Sequence, residues 1–245
     1  MIGTTLNVAG ILIGGILGLA RKTPVSAANQ NRLKIALGAF IAFFGLRLTW
    51  LGLNGPILQI LKQLAIVMVA LMLGRLAGRL LHLQKASNRV GGFARGRMNA
   101  AKPNDPNRFT NGFLTCSALF CAAPLGIVGA ICEGLPVSGA PSGNFYPLLI
   151  KAVMDGLAAM GFVSIFGWGV ICSAVPVLVF QGTITLLCAR FLAPVLSAAL
   201  MDSINATGGL LIFCMVLIIF EIRKVEITDY LPGLVVAPLL TWWLR

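Results

Sequence analysis

Acidic side chains are scarce in this chain. Asp and Glu together number 7 among 245 residues, His82 is the one histidine, and only 11% of the residues are charged. So few His and acidic groups leave metal chemistry to the six cysteines at 116, 121, 132, 172, 188 and 214. All six fall in apolar runs, where a thiol reads as a small buried hydrophobe and not as half of a disulfide. No tetrahedral set of Cys and His can be assembled at helical spacing, so neither a metal nor a cofactor is expected. Phosphate-cradling and metalloprotease motifs are missing as well. Ser138 to Gly143, Ser-Gly-Ala-Pro-Ser-Gly, offers hydroxyls for hydrolysis, but the sole histidine lies on the predicted opposite side of the membrane. Turn composition accounts for that segment, and no enzyme is expected.

Apolar residues are what is abundant: 58% of the chain, with a mean hydropathy of +0.93. A span needs about 20 apolar residues to cross a hydrocarbon core of about 30 Å. Windows of that kind lie at 2–20, 35–53, 57–80, 111–135, 148–172, 177–200, 206–222 and 229–244, the fifth and sixth parted near Pro176. The expected fold is therefore all-α: one polytopic helical bundle of about eight transmembrane helices occupying residues 1–245. A cleavable signal peptide at 2–20 would need a basic leader, whereas Met1 to Asn7 is uncharged and Arg21 and Lys22 follow the segment.

Charge then orients the bundle. With the N-terminus outside, 14 of the 19 Lys and Arg fall at inner loops and helix ends, many of them in a basic cytoplasmic connection over 84–108. Both termini are expected in the periplasm of a bacterial inner membrane. The net charge of +12 invites a nucleic-acid reading, but Phe93 and Phe109 are the only aromatics near that connection. Anionic inner-leaflet lipid is the expected partner, worth on the order of 1 kcal/mol per basic residue near the surface.

Internal repetition is a further signal. Gly3-Thr4-Thr5-Leu6 resembles Gly182-Thr183-Ile184-Thr185-Leu186, and Gly38 with its apolar run resembles Gly208-Gly209 with theirs. Under the expected orientation the first and last three spans would form inverted repeats around a central pair, a device of transporters. Chance recurrence of small residues and Leu is the other reading.

Candidate functional residues concentrate in that central pair. Asp155 lies in about fifty nearly uncharged residues, with Lys151 one helical turn before it. An ionised carboxylate at membrane depth costs several kcal/mol, so the residue is a candidate site by default. Two readings stay open. Lys151 could snorkel to the headgroups from the outer third of the membrane while Asp155 neutralises it. Alternatively Asp155 carries a proton or a cation, with Lys151 as countercharge and Glu133 nearby at the end of the preceding span. Pro124 removes a backbone donor, and Gly126 and Gly129 permit close packing, while Thr115 and Ser117 could line a cavity at a broken helix. Asn7 near the outer end of the first span, and Gln181, Thr183 and Thr185 near the inner end of the sixth, would make two half-sites. Pro176, Gly208 and Gly209 mark further breaks or close contacts.

These residues resemble a family of bacterial multispanning proteins, the YqgA-like inner-membrane proteins of domain-of-unknown-function 554. The resemblance covers essentially the whole chain and rests on Phe113-Leu-Thr-Cys-Ser-Ala-Leu-Phe-Cys121, Gly126-Ile-Val-Gly-Ala130, Lys151 with Asp155-Gly156, Ser173-Ala-Val-Pro-Val177, Gln181-Gly182 and Gly208-Gly209-Leu210. Glu133-Gly134 stands where that family usually has Asp-Gly, and a longer Pro-, Gly- and Ser-rich loop follows. The resemblance implies the membrane class and no activity. The function expected from the residues is a small secondary transporter or permease for an ion or small metabolite, proton- or cation-coupled through Asp155. The alternative is a non-transporting scaffold or assembly factor, packed against itself as a homo-oligomer or against a partner.

Overall fold

The computed structural model describes residues 1–20, 26–101, 105–137 and 144–244; the Ser138 to Gly143 segment lies outside the described residues. The fold is an all-α polytopic bundle. Its helices are α1 (Ile2–Ala20), α2 (Ala27–Leu51), α3 (Ile57–Leu80), α4 (Leu83–Ala100), α5 (Arg108–Ala122), α6 (Pro124–Gly134), α7 (Tyr146–Phe166), the short α8 (Gly169–Cys172), α9 (Ala174–Leu187), α10 (Ala198–Ile219), the short α11 (Ile227–Tyr230) and α12 (Gly233–Trp243). A π-helical turn, Cys188–Leu192, extends α9.

Among the described residues, six helical segments are long and apolar enough to cross a membrane: α1, α2, α3, α7, the run Gly169–Leu192, and α10. Helices α5 and α6 supply a seventh if taken together, bent by 57° at Ala123. The expected eighth span is shorter than its window. Pro232 separates α11 from the 11-residue α12, which at 1.5 Å per residue is only about 16 Å long.

Two boundaries differ from expectation for identifiable reasons. The break between the fifth and sixth spans falls at Gly167, whose φ of 69° ends α7, and not at Pro176. Pro176 sits in the first turn of α9, where backbone N–H groups have no intrahelical partner to lose. Helix α10 begins eight residues before its window because Asp202, Ser203 and Asn205 are buried within it. Their polarity is absorbed locally: Asn54 Nδ2 donates to Asp202 at 3.0 Å, and Asn205 donates to the Pro136 carbonyl at 2.9 Å.

Glycine sets the approach of the helices. Gly10, Gly14 and Gly18 recur every fourth residue and lie along the backbone of α7. A Cβ on each would stand 2.3 Å from the Ala152 carbonyl oxygen, 1.9 Å from that of Gly156 and 2.5 Å from that of Met160. The two chains therefore run parallel in backbone contact, as small-residue stripes allow in membranes. Helices α2 and α10 cross antiparallel through Gly45 and Gly209, and α3 and α12 through Gly74 and Gly233. Thr4 beside Thr185 and Asn7 beside Gln181 make α1 and α9 antiparallel as well.

The basic connection is helical over Leu83–Ala100. His82, in the left-handed region at φ 58°, turns the chain out of α3, and Asp229 accepts the Gln84 backbone N–H at 2.8 Å to cap the start of α4. Arg75 and Arg79 pair with Glu226 at the same end. Arg108 donates to the carbonyls of Ser164 and Ile165, satisfying the C-terminal turn of α7. In the first span, Gly14→Val is expected to cost at least about 2 kcal/mol through overpacking against Gly156. Gly92 on α4 has open space around its Cα, so Gly92→Ala should leave stability equal or slightly raised. Thermal unfolding of the two variants in detergent checks the contrast.

Candidate functional site

Lys151 and Asp155 lie one turn apart near the middle of the 21-residue α7. The ammonium is hydrogen-bonded to Asp155 Oδ2. Lys151 is 2% exposed and Asp155 8%, which excludes the snorkelling arrangement: the lysine tail points into protein, not toward headgroups. With α7 spanning Tyr146 to Phe166, Asp155 lies near mid-helix and Lys151 one turn nearer its start.

Four helices wrap it. From α6, Gly126 leaves room for the lysine tail, since a Cβ there would be 2.9 Å from Lys151 Cε. From α5, the Phe120 ring lies 5.8 Å from the ammonium, in cation–π reach. From α1, Asn7 faces Asp155 and donates from Nδ2 to Gln181 Oε1 at 3.1 Å. From α9, Gln181 brings Nε2 to within 3.0 Å of the same Gly126 position. Asn7 and Gln181 are both fully buried, yet Asn7 Oδ1 and Gln181 Nε2 have no hydrogen-bond partner. Gln181 lies midway along Gly169–Leu192, so Asn7 and Gln181 form one contact at one depth and not two half-sites at opposite ends.

Glu133 has a different task. Its carboxylate accepts the backbone N–H groups of Gly3 and Thr4, the Thr4 hydroxyl at 2.8 Å and the Thr185 hydroxyl at 3.3 Å. This is a carboxylate at a helix N-terminus, favoured by the orphan donors and the dipole there. Thr185 also bonds the Ala130 carbonyl at 3.2 Å. Glu133 thus fastens the start of α1 to the end of α6 and to α9, with its acceptor capacity already engaged.

Other sequence candidates scatter. Thr183 is exposed and lines an apolar groove of about 810 Å³ on the outer surface with Phe113, Cys172, Val179 and Phe180, so it lies off the cluster. Thr115 is buried and Ser117 half-buried on α5, each with an unpartnered hydroxyl. Pro124 opens α6 at the bend. Gly129 receives the Leu148 side chain, Gly208 meets Cys132 and Gly209 meets Thr49, so these three serve packing. Cys172 is exposed, unlike the buried Cys116, Cys132 and Cys188. Phe120 was absent from the sequence candidates. Among the described residues no three His, Cys, Asp or Glu side chains converge as metal ligands would.

A full-length match to the family described as "Protein of unknown function (DUF554)" covers residues 2–242. The chain belongs to this family. It is similar to "Uncharacterized protein YqgA" of Escherichia coli (strain K12), 30% identical over 250 residues, covering 99% of this chain and 97% of that one. It is also similar to "Uncharacterized membrane protein YdfK" of Bacillus subtilis (strain 168), 29% identical over 239 residues, covering 97% and 94%. No solved structure matches. A membrane-protein relative and the apolar spans make this a multi-pass membrane protein.

Removing the Glu133 carboxylate would strand two buried backbone donors and take the acceptor of the Thr4 hydroxyl, each unpaired donor costing about 1–3 kcal/mol, while Thr185 keeps the Ala130 carbonyl. Glu133→Ala is therefore expected to lower the unfolding midpoint clearly in detergent, with Glu133→Gln intermediate and Thr183→Ala near wild type.

Proposed function

We propose that this protein is a small secondary transporter or permease that moves an ion or small metabolite across the bacterial inner membrane, proton-coupled through Asp155. The observation that carries the reading is the buried Lys151–Asp155 pair in the middle of α7, set against the 57° break between α5 and α6. Ionisable groups at that depth are expensive and characteristically mark ion or proton paths. Broken helices at mid-membrane are where transporters gather binding groups, because freed backbone is tolerated only where it is buried in protein or lines a cavity.

The antiparallel pairing of α1 with α9, α2 with α10 and α3 with α12 favours two inverted three-helix sets around α5, α6 and α7. The basic residues of α4 favour a cytoplasmic position for that helix against anionic lipid, with both chain termini periplasmic. No group in the cluster is arranged as nucleophile and base, so transport is preferred over catalysis.

Purified protein in proteoliposomes, screened against a panel of ions and small metabolites, should give solute-dependent flux that requires Asp155. Asp155→Asn, compared at equal amounts of folded, incorporated protein, should lose pH-driven uptake, and Asp155→Glu should retain part of it. Absence of flux across the panel, together with recovery of a stable complex on partner capture, would replace transport with the scaffold reading.

A further inference from the structure

Asn7 and Gln181 are fully buried, and each carries an NH2 that donates and an oxygen that accepts. One bond joins them, from Asn7 Nδ2 to Gln181 Oε1 at 3.1 Å. Asn7 Oδ1 and Gln181 Nε2 are left without partners, a costly state for buried polar atoms. Asn7 also faces Asp155. Gln181 and the lysine tail meet over Gly126, where a Cβ would stand 3.0 Å from Gln181 Nε2 and 2.9 Å from Lys151 Cε. That space is filled, so a change of partner there takes place among the side chains already present. The observed orientation suits an ionised Asp155: Asn7 lowers the cost of the charge by hydrogen bonding, and the carboxylate holds the Lys151 ammonium. A protonated Asp155 becomes a donor in need of an acceptor, and the ammonium loses its countercharge.

We propose that Asn7 and Gln181 form an amide relay that turns over when Asp155 takes up a proton, handing Lys151 from the Asp155 carboxylate to the Gln181 carbonyl. In the turned state Asn7 Oδ1 accepts the Asp155 O–H and a Gln181 N–H, and Gln181 Oε1 faces Lys151 over Gly126. The two atoms left unpartnered in the observed orientation are then both bonded, and the Asn7 NH2 becomes the unused group. An O–H bond forms on Asp155 and no covalent bond breaks. The ammonium keeps its charge and exchanges one acceptor for another by rotation of the last bonds of its side chain. Turning an amide end for end replaces NH2 by oxygen of similar size, so the exchange needs no cavity and no backbone movement. Asn7 and Gln181 are thereby positioning residues for proton uptake, one on each helix flanking the pair.

Among the described residues Lys151 is the one charge acting on Asp155. Helix α1 presents the neutral Asn7 and α9 the neutral Gln181. The Cys116 and Cys121 thiols of α5 are within its electrostatic reach, and Cys172 of α8 is exposed. Glu133 of α6 is held by the start of α1, and Arg47 of α2 lies over Tyr146 at the first residue of α7. Arg108 of α5 is engaged by the carbonyls of Ser164 and Ile165 at the far end of α7.

The relay rests on Asp155 as the proton-carrying group of the transport reading, but unfolding of the full chain in detergent measures it without flux. Gln181→Met keeps the volume of the side chain and removes both amide groups. While the ionised Asp155 holds Lys151, this substitution should lower the unfolding midpoint only slightly. In the Asp155→Asn background the ammonium has only Gln181 to turn to, and the same substitution should lower the midpoint several-fold more. Adding Lys151→Met should erase that difference. Asp155→Asn combined with Gln181→Glu, which supplies a carboxylate where the relay places an acceptor, should recover most of the midpoint lost in Asp155→Asn. With Asp155 present, the gap between wild type and Gln181→Met should widen toward acid, since Gln181 is called on as Asp155 takes up its proton. Equal losses in the two backgrounds, or no recovery with Gln181→Glu, overturn the relay. If Asp155→Asn with Gln181→Met alone fails to fold, restoration of folding by Lys151→Met supports the relay and its failure overturns it. Asp155-dependent flux with equal losses in the two backgrounds overturns the relay and leaves transport standing. A loss that depends on the background, without flux across the solute panel, supports the relay and removes transport.

Discussion

An ammonium and a carboxylate held away from water in the middle of a helix constrain everything around them. Each must find its partner inside the protein, because lipid supplies none, and the idealised cost of burying either alone far exceeds the stability of a domain. In this bundle the constraint is met by enclosure. Helix α1 brings Asn7, α5 the ring of Phe120, α6 the bare backbone of Gly126, and α9 the amide of Gln181. The pair is therefore a feature of the assembled bundle, and α7 alone could not carry it.

Enclosure depends in turn on close approach. Gly10, Gly14 and Gly18 bring α1 into backbone contact with α7, which is what places Asn7 beside Asp155. Glu133 then fixes the start of α1 by accepting its first N–H groups, and Thr185 ties the same carboxylate to α9. The two acidic residues of the central helices thus divide the work: Glu133 has filled its acceptor positions with helix-end donors, whereas Asp155 has one charged partner beside two amides with unused capacity. Chemistry that needs a group able to change partners is assigned to Asp155 on that difference.

Much of this was legible in the chain. Hydropathy marked the long spans, the i, i+4 spacing marked Lys151 with Asp155, and Pro124 marked the broken helix. The place of the pair along its helix was not legible, because it hung on whether Pro176 or Gly167 ended α7. A proline costs a helix little in its first turn, and a glycine's positive φ leaves no trace in composition. The faces of Thr183 and Thr185 also needed tertiary contacts, since two residues apart on one helix they point in different directions. The Gly10, Gly14 and Gly18 spacing does carry a signal, but a small-residue stripe predicts a close contact without naming the helix that makes it. The cap formed by Glu133 joins residues some 130 positions apart, beyond any local pattern.

The mutual dependence of the charge pair is the claim on which the account stands. A double-mutant cycle with Lys151→Met, Asp155→Leu and the combined variant, followed by equilibrium unfolding in detergent, measures it directly. A buried pair predicts that each single variant loses about 3–5 kcal/mol by stranding the other charge, and that the double variant recovers most of the loss. Single losses under about 1 kcal/mol that simply add would place the pair in a solvated setting and contradict the account.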